Sequence, residues 1–411
     1  MNKKPNENYK WFLMILGALT NAFVVAAPVM ALSVLMPEIS STLDLNLIQA
    51  GLVWGIGSLP MVFASLLAGN LSDRFGPKRV LTISCVLIGL AGASRGLASN
   101  FTLLMLTVFL SGFLGPLITL NNVRNAVIWF PSRQLGLANG LVTLGMAFGF
   151  FIGSMVSATY LSPALGGWSN VFLFYGALAM LFAIPWSLTR MAPQTLQPAG
   201  ADPIRVSFRE SMSHLLKLKE IWLLGLAFLG VSGGVSGLIG YLPLYLQDLG
   251  WTVSRTGGVL SAFNIASMAF VLPLTSWSDR LGSRSMILIG AAILTAIGIG
   301  LLPFAGGVAI WALMITIGAT RDSYMGILFT RVIETRGVGS AYSAMAIGFS
   351  MVFIGVGNLV SPPLGNSLAS EAMPGAPLFF WAALALFGAL CVALASRQGL
   401  VKVNQRYESI E

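Results

Sequence analysis

The chain has 411 residues, 56% of them hydrophobic and only 9% charged, with a mean hydropathy of +0.83. A surface of that composition cannot be kept in water, so a soluble globule is excluded and lipid is the solvent. The net charge of +9 invites a nucleic-acid partner, which the location of the charge excludes.

A spanning helix needs about 20 apolar residues. Stretches of that kind run over 11–36, 47–71, 80–97, 102–130, 135–162, 168–190, 220–247, 255–276, 286–304, 307–333, 340–366 and 377–396. These predict twelve spans, all helical, because lipid offers no partner to an open backbone.

Lys3 and Lys4 before the first span mimic a signal peptide, but the apolar run continues to Met36, which predicts an uncleaved span. Asn21 lies midway along it. The second span leaves through Gly69-Asn70-Leu71-Ser72-Asp73-Arg74-Phe75-Gly76-Pro77-Lys78. Gly76 supplies the backbone freedom of a hairpin, and Pro77 sets the start of the third span. Asp73 is placed to accept hydrogen bonds from a helix end or an arginine, while Arg74, Lys78 and Arg79 are expected to face the anionic inner leaflet.

Charge within a span costs about 2.5–3.5 kcal/mol on insertion scales, so each such residue is a functional candidate. The fourth span carries Arg124, with Asn121 and Asn125 at helical spacing and Asn122 flanking. The fifth holds Gly145, Gly149 and Gly153, spaced for close helix packing. Between residues 191 and 219 hydropathy drops and prolines and basic residues gather, a linker that predicts two halves, 1–190 and 220–411. The only histidine, His214, lies in this linker, and Cys85 and Cys391 lie in spans as small packing residues.

In the second half, Tyr241 sits in the outer part of the seventh span. The eighth leaves through Thr275-Ser276-Trp277-Ser278-Asp279-Arg280-Leu281-Gly282-Ser283-Arg284, the earlier loop repeated 206 residues on, with Asp279, Arg280, Gly282 and Arg284 in the corresponding places. A second register, Gly136 to Gly145 against Gly339 to Gly348, repeats at 203. The chain is a duplication, and duplication within a membrane suggests transport. The tenth span carries Arg321 near its middle, Asp322 beside it, and Tyr324 one turn on and on the same face as Arg321.

With both termini cytoplasmic, 19 of the 23 Lys and Arg fall in cytoplasmic tails, linker and loops. That is the positive-inside asymmetry, so the basic charge orients the protein and implies no nucleic acid.

The loop at Gly69 to Lys78 resembles the signature G-x-L-x-D-R-x-G-x-K/R of the major facilitator superfamily, and the resemblance covers nearly the whole chain; the second copy departs at Thr275. It implies two pseudo-symmetric six-helix bundles, with the first, fourth, seventh and tenth spans around a central cavity. It also implies a latch, formed with Asp73 and less closely with Asp279, that holds the cytoplasmic side shut. Trp129 to Gly140 looks like the W/Y-F-x-x-R-x-x-A-x-G loop of oxyanion and monocarboxylate carriers. The fifth span lacks the proline and the last glycine of the drug/proton antiporter motif G-x-x-x-G-P-x-x-G-G, and Val108 stands where that family has an arginine four residues before Gly112.

An arginine offers a planar fork of donors suited to carboxylate-like oxyanions. The expectation is a monomeric carrier in a prokaryotic inner membrane for a small anion, with Arg321 and Arg124 on the substrate, supported by Tyr324, Asn121, Asn122, Asn125, Asn21 and Tyr241. Asp322, the only carboxylate within a span, is the expected proton carrier for symport. A proton-coupled efflux antiporter of amphipathic compounds is the second reading, and a membrane scaffold or sensor the third. With no G-x-x-x-x-G-K-[ST] loop and no H-E-x-x-H site, neither an enzyme nor a cofactor is expected.

Overall fold

The computed structural model describes residues 7–190, 208–281 and 283–408, and those residues contain helices and no strand. Among the described residues, ten helices are long and apolar enough to cross a membrane: Asn8–Val34, Pro77–Gly96, Phe101–Trp129, Gln134–Leu165, Trp168–Leu188, Lys219–Asp248, Val253–Leu281, Arg284–Phe304, Tyr342–Asn366 and Ala376–Arg397. The second and tenth of the twelve expected stretches differ. The second is split at Gly57 into Leu47–Ile56 and Ser58–Phe75. The tenth is one continuous helix, Val308–Ile333, whose apolar character is diluted by Arg321, Asp322 and Arg331.

Local chemistry explains the helix ends. Asn46 and Gln49 form a reciprocal capping box at the start of the second span, each bond 2.9 Å. Asn100 caps the fourth by accepting from the Leu103 amide at 2.9 Å. Gly76, at φ 77°, turns the chain from Ser58–Phe75 into Pro77–Gly96, a conformation that a side chain resists. The first span is interrupted at Asn21–Ala26 by a π-turn, and π-turns within helices often mark functional sites.

By packing, the chain forms one unit of Met1–Ala201 with Leu242–Asn264 and another of Asp202–Tyr241 with Ile265–Glu411. In the first unit, backbones approach closely at several glycines. A Cβ on Gly145 would lie 2.6 Å from the Cα of Ala18, and one on Gly149 2.6 Å from the Cα of Ala22, so the fifth span lies directly on the first. Gly89 and Gly176 bring the third and sixth spans together in the same way. The repeat at Gly348 does not reproduce this contact, since a Cβ there would meet nothing within 4 Å. In the second unit the indole of buried Trp381 rests on Gly237 and Gly365. Each unit has its own apolar core, around Leu81, Ile118 and Trp186 in the first and Phe228, Leu288 and Leu328 in the second. Large apolar side chains such as Leu272 and Met286 remain exposed, as lipid-facing positions require.

Candidate functional site

In the first unit the amides of two spans meet. Asn122, fully buried in the fourth span, donates through Nδ2 to Asn21 Oδ1 at 3.0 Å and to the Gly17 carbonyl at 3.2 Å. Gly17 is needed there, because a Cβ would come 3.0 Å from Asn122 Oδ1. Asn21 opens the π-turn and passes its own Nδ2 to the Val142 carbonyl of the fifth span at 3.5 Å. Three spans thus share one polar seam. Asn121 bonds back to Leu117 O at 2.7 Å, leaving its Oδ1 buried and without an acceptor's partner, and Asn125 is buried on the same helix. Arg124 is partly buried beside them.

In the second unit, Arg321 Nε lies 3.7 Å from Asp322 Oδ1, and their side chains are 24% and 45% exposed. The pair sits at mid-helix in Val308–Ile333, and its two neighbours tie the helix to other spans. Thr320 bonds Thr295 of the ninth span at 2.8 Å, and Ser323 donates to the Phe270 carbonyl of the eighth at 3.2 Å. Those two hydroxyls were not singled out in the sequence; their only signal is polarity next to buried charge.

Tyr324 departs from the expectation that it stands beside Arg321. It is 1% exposed, joins the apolar core, and directs its hydroxyl at the Ala227 carbonyl of the seventh span, 3.4 Å away. Tyr241 is likewise engaged, donating to Pro374 O at 2.8 Å with its ring edge-on to Trp381.

The motif loops are used differently in the two units. Lys78 Nζ donates at 2.5 Å to the Thr189 carbonyl at the end of the sixth span, a cation on a helix C-terminus. Arg74 is exposed and lies against Phe75. Of Gly69 and Asp73 only the backbone is described, and Gly282 lies outside the described residues. In the second copy Arg284 bridges Asp279 at 2.9 Å and Glu334 at 2.8 Å, while Arg280 stays exposed. Beside them Arg331 pairs with Glu220, both side chains under one-fifth exposed. These groups line a cavity of about 570 Å³. Its matched charges make it an ionic clasp between the start of the seventh span, the eighth-to-ninth loop and the end of the tenth.

One fully buried cation was not anticipated among the site candidates. Arg95, in the last turn of Pro77–Gly96, is 3% exposed, donates to Ser111 Oγ at 2.7 Å and lies 5.0 Å from the centre of the Phe172 ring. Its place inside an apolar run was the available signal.

Comparison with known proteins adds context to this geometry. The sequence profile described as Major Facilitator Superfamily matches residues 18–345. The chain is 25% identical to a 3-(3-hydroxy-phenyl)propionate transporter of Escherichia coli (strain K12), over 85% of this chain and 86% of that one. It is 26% identical to a hexuronate transporter of Bacillus subtilis (strain 168), over 88% and 89%. It is also 24% identical to the multidrug resistance protein MdtG of Klebsiella pneumoniae (strain 342), over 98% and 97%. The crystal structure of a bacterial homolog to the human lysosomal transporter Spinster, inward-facing and unoccupied, superposes with a TM-score of 0.76 at 17% identity, covering 96% of this chain and 98% of that one.

Proposed function

Because this chain belongs to the major facilitator superfamily, a family of membrane transporters and not of enzymes, we propose that it is a secondary carrier for a small anion of the carboxylate type, driven by proton symport. The observation that carries the reading is Arg321, a guanidinium held at mid-helix with a quarter of its side chain exposed and the Asp322 carboxylate beside it. Its fork of donors matches a carboxylate, and its charge would be costly in lipid without an anionic partner. Relatives named for a phenylpropionate and a hexuronate, both carboxylates, support the same class.

The chemistry follows from competition at one cation. With no substrate, Asp322 shares the charge of Arg321. An arriving anion takes that charge, Asp322 loses its stabilising neighbour, and a proton neutralises it. Anion and proton then cross together, and the site returns to the paired state after release. Arg124 belongs to the same path from the fourth span, with Asn121 and Asn125 as flanking donors and acceptors. Asn21, Asn122, Tyr241 and Tyr324 support the spans that frame it.

In this reading the protein is a monomer of twelve spans in a prokaryotic inner membrane, with both termini cytoplasmic. Two six-helix bundles, 1–190 and 220–411, are joined by 191–219 and rock about the site in alternating access. The motif loops, including Gly69, Asp73, Gly76, Asp279 and Gly282, belong to the cytoplasmic latch.

The second reading, efflux of amphipathic compounds, draws on the likeness to MdtG and on the glycines of the fifth span. Flux into proteoliposomes under a pH gradient separates the two. Saturable uptake of a small carboxylate, without transport of lipophilic cations, is the expected result; cation flux alone would establish efflux and make the buried arginines structural.

A further inference from the structure

The far end of the first unit holds a carboxylate that the transport mechanism does not use. Glu38, in the first turn of the helix Met36–Leu43, accepts from Ser162 Oγ at 2.7 Å and from the Trp168 backbone amide at 2.9 Å. Trp168 begins the 21-residue sixth span, whose N-cap is Gly167, a residue with no side chain to cap it. The cap is therefore supplied from a distant part of the chain: Glu38 Oε1 takes the free N–H and meets the positive end of the helix. Gly166 and Gly167, at φ 83° and 124°, make the turn that presents this amide.

We propose that Glu38 is a proton-operated clasp, which holds the hairpin between the fifth and sixth spans in place while ionised and loosens it when the exterior turns acidic. The assignment of this end to the exterior rests on the orientation proposed above. Glu38, Ser41, Ser162, Gly166, Gly167 and Gln247 line a cavity of about 600 Å³ there, and among the described residues Glu38 is the one charged group in its lining. The packed elements carry other titratable groups, namely Arg95 in the last turn of Pro77–Gly96, which lies against Phe172 of the sixth span, Asp44 after the first span, Tyr160 and Tyr175 in the fifth and sixth spans, and Tyr245, Asp248 and Arg255 around the seventh-to-eighth turn. None of these lines the cavity, and the Tyr175 hydroxyl is bonded to Ser157 at 2.9 Å. Protonation removes the charge that favours the helix end and turns one acceptor oxygen into a donor. The sign follows: the ionised form makes the clasp, so order is present at neutral pH and lost as pH falls.

Hydrogen exchange of the segment 159–172 in the purified full chain tests the clasp without any substrate, after correction for the chemical rate. Between about pH 7.5 and about pH 3, which brackets the ordinary glutamate range near about 4.3, exchange at the start of the sixth span should accelerate about threefold to tenfold in the unsubstituted protein. Glu38→Gln should exchange fast at both values, and Ser162→Ala, which removes one arm and keeps the acid, should retain the pH response. Equal protection at both pH values, or a Glu38→Gln protein as protected as its parent, would overturn the proposal. The regulatory consequence is read separately: anion flux should vary less with external pH in Glu38→Gln, and an unchanged profile beside the expected exchange would overturn that consequence while leaving the anion assignment standing.

Discussion

Asn122 in the fourth span and Asn21 in the first share a hydrogen bond of 3.0 Å, and the same Asn122 amide reaches the Gly17 carbonyl. The second unit repeats the arrangement with different chemistry, since Tyr324 of the tenth span donates to Ala227 O of the seventh. Both contacts tie together spans that the proposed function places around the substrate path. The duplication has preserved a polar tie from the fourth or tenth span to the first or seventh and changed the residue that makes it.

Replacing Asn122 by leucine removes that tie and leaves Asn21 Oδ1 with one partner fewer. Interhelical bonds in membrane proteins average about 0.6 kcal/mol and reach about 1.7. The buried position and two acceptors place this one toward the upper value. Thermal unfolding of purified Asn122→Leu should show a loss of about 1–2 kcal/mol, with anion affinity little changed. A protein as stable as its parent would show that the seam contributes nothing to the packing of the first span.

The ionic clasp of the second unit contains pairs of two kinds. Arg284 bridges carboxylates that are 63% and 47% exposed, so Arg284→Gln should cost about 1 kcal/mol or less. Arg331 and Glu220 are both mostly buried, and removing one partner strands the other. Arg331→Leu should therefore cost about 3 kcal/mol, and Glu220→Leu in the same chain should recover most of it. Denaturation of the two singles and the double settles this; additive losses would mean that the pair is not coupled.

Asp322→Asn separates coupling from binding. It keeps the size of the side chain and removes the proton site, so accumulation driven by a pH gradient should disappear while anion exchange between the two sides continues. The neutral residue also frees Arg321 from its internal partner, so apparent anion affinity should rise. Proton-driven accumulation that persists would remove Asp322 from the coupling role.

Much of this protein was legible from its sequence. Hydropathy located the helices, and the duplicated loop pointed to the family, because both are properties of long apolar runs and short local turns. Orientation around a helix was less legible. Tyr324 was expected beside Arg321, yet three residues on an α-helix turn through about 300°, leaving the two about 60° apart, and here that angle carries the ring into the core. The hydrogen-bond partner of Lys78, Thr189 O, is 111 residues away and invisible to local pattern. The break at Gly57 follows the same logic, since it sits where the fourth span's Gly112 comes against the backbone of the second.

The central claim is that Arg321 holds the transported anion. Initial rates of carboxylate uptake should be compared in proteoliposomes containing the unsubstituted protein, Arg321→Lys and Arg321→Gln at matched reconstitution. Loss of a charged bidentate contact costs about 2–5 kcal/mol, so Arg321→Gln should fall by at least about thirtyfold, with Arg321→Lys between the two because it keeps the charge and loses the fork. Uptake by Arg321→Gln at the parental rate and affinity would place the anion elsewhere and leave Arg321 as the partner of Asp322 alone.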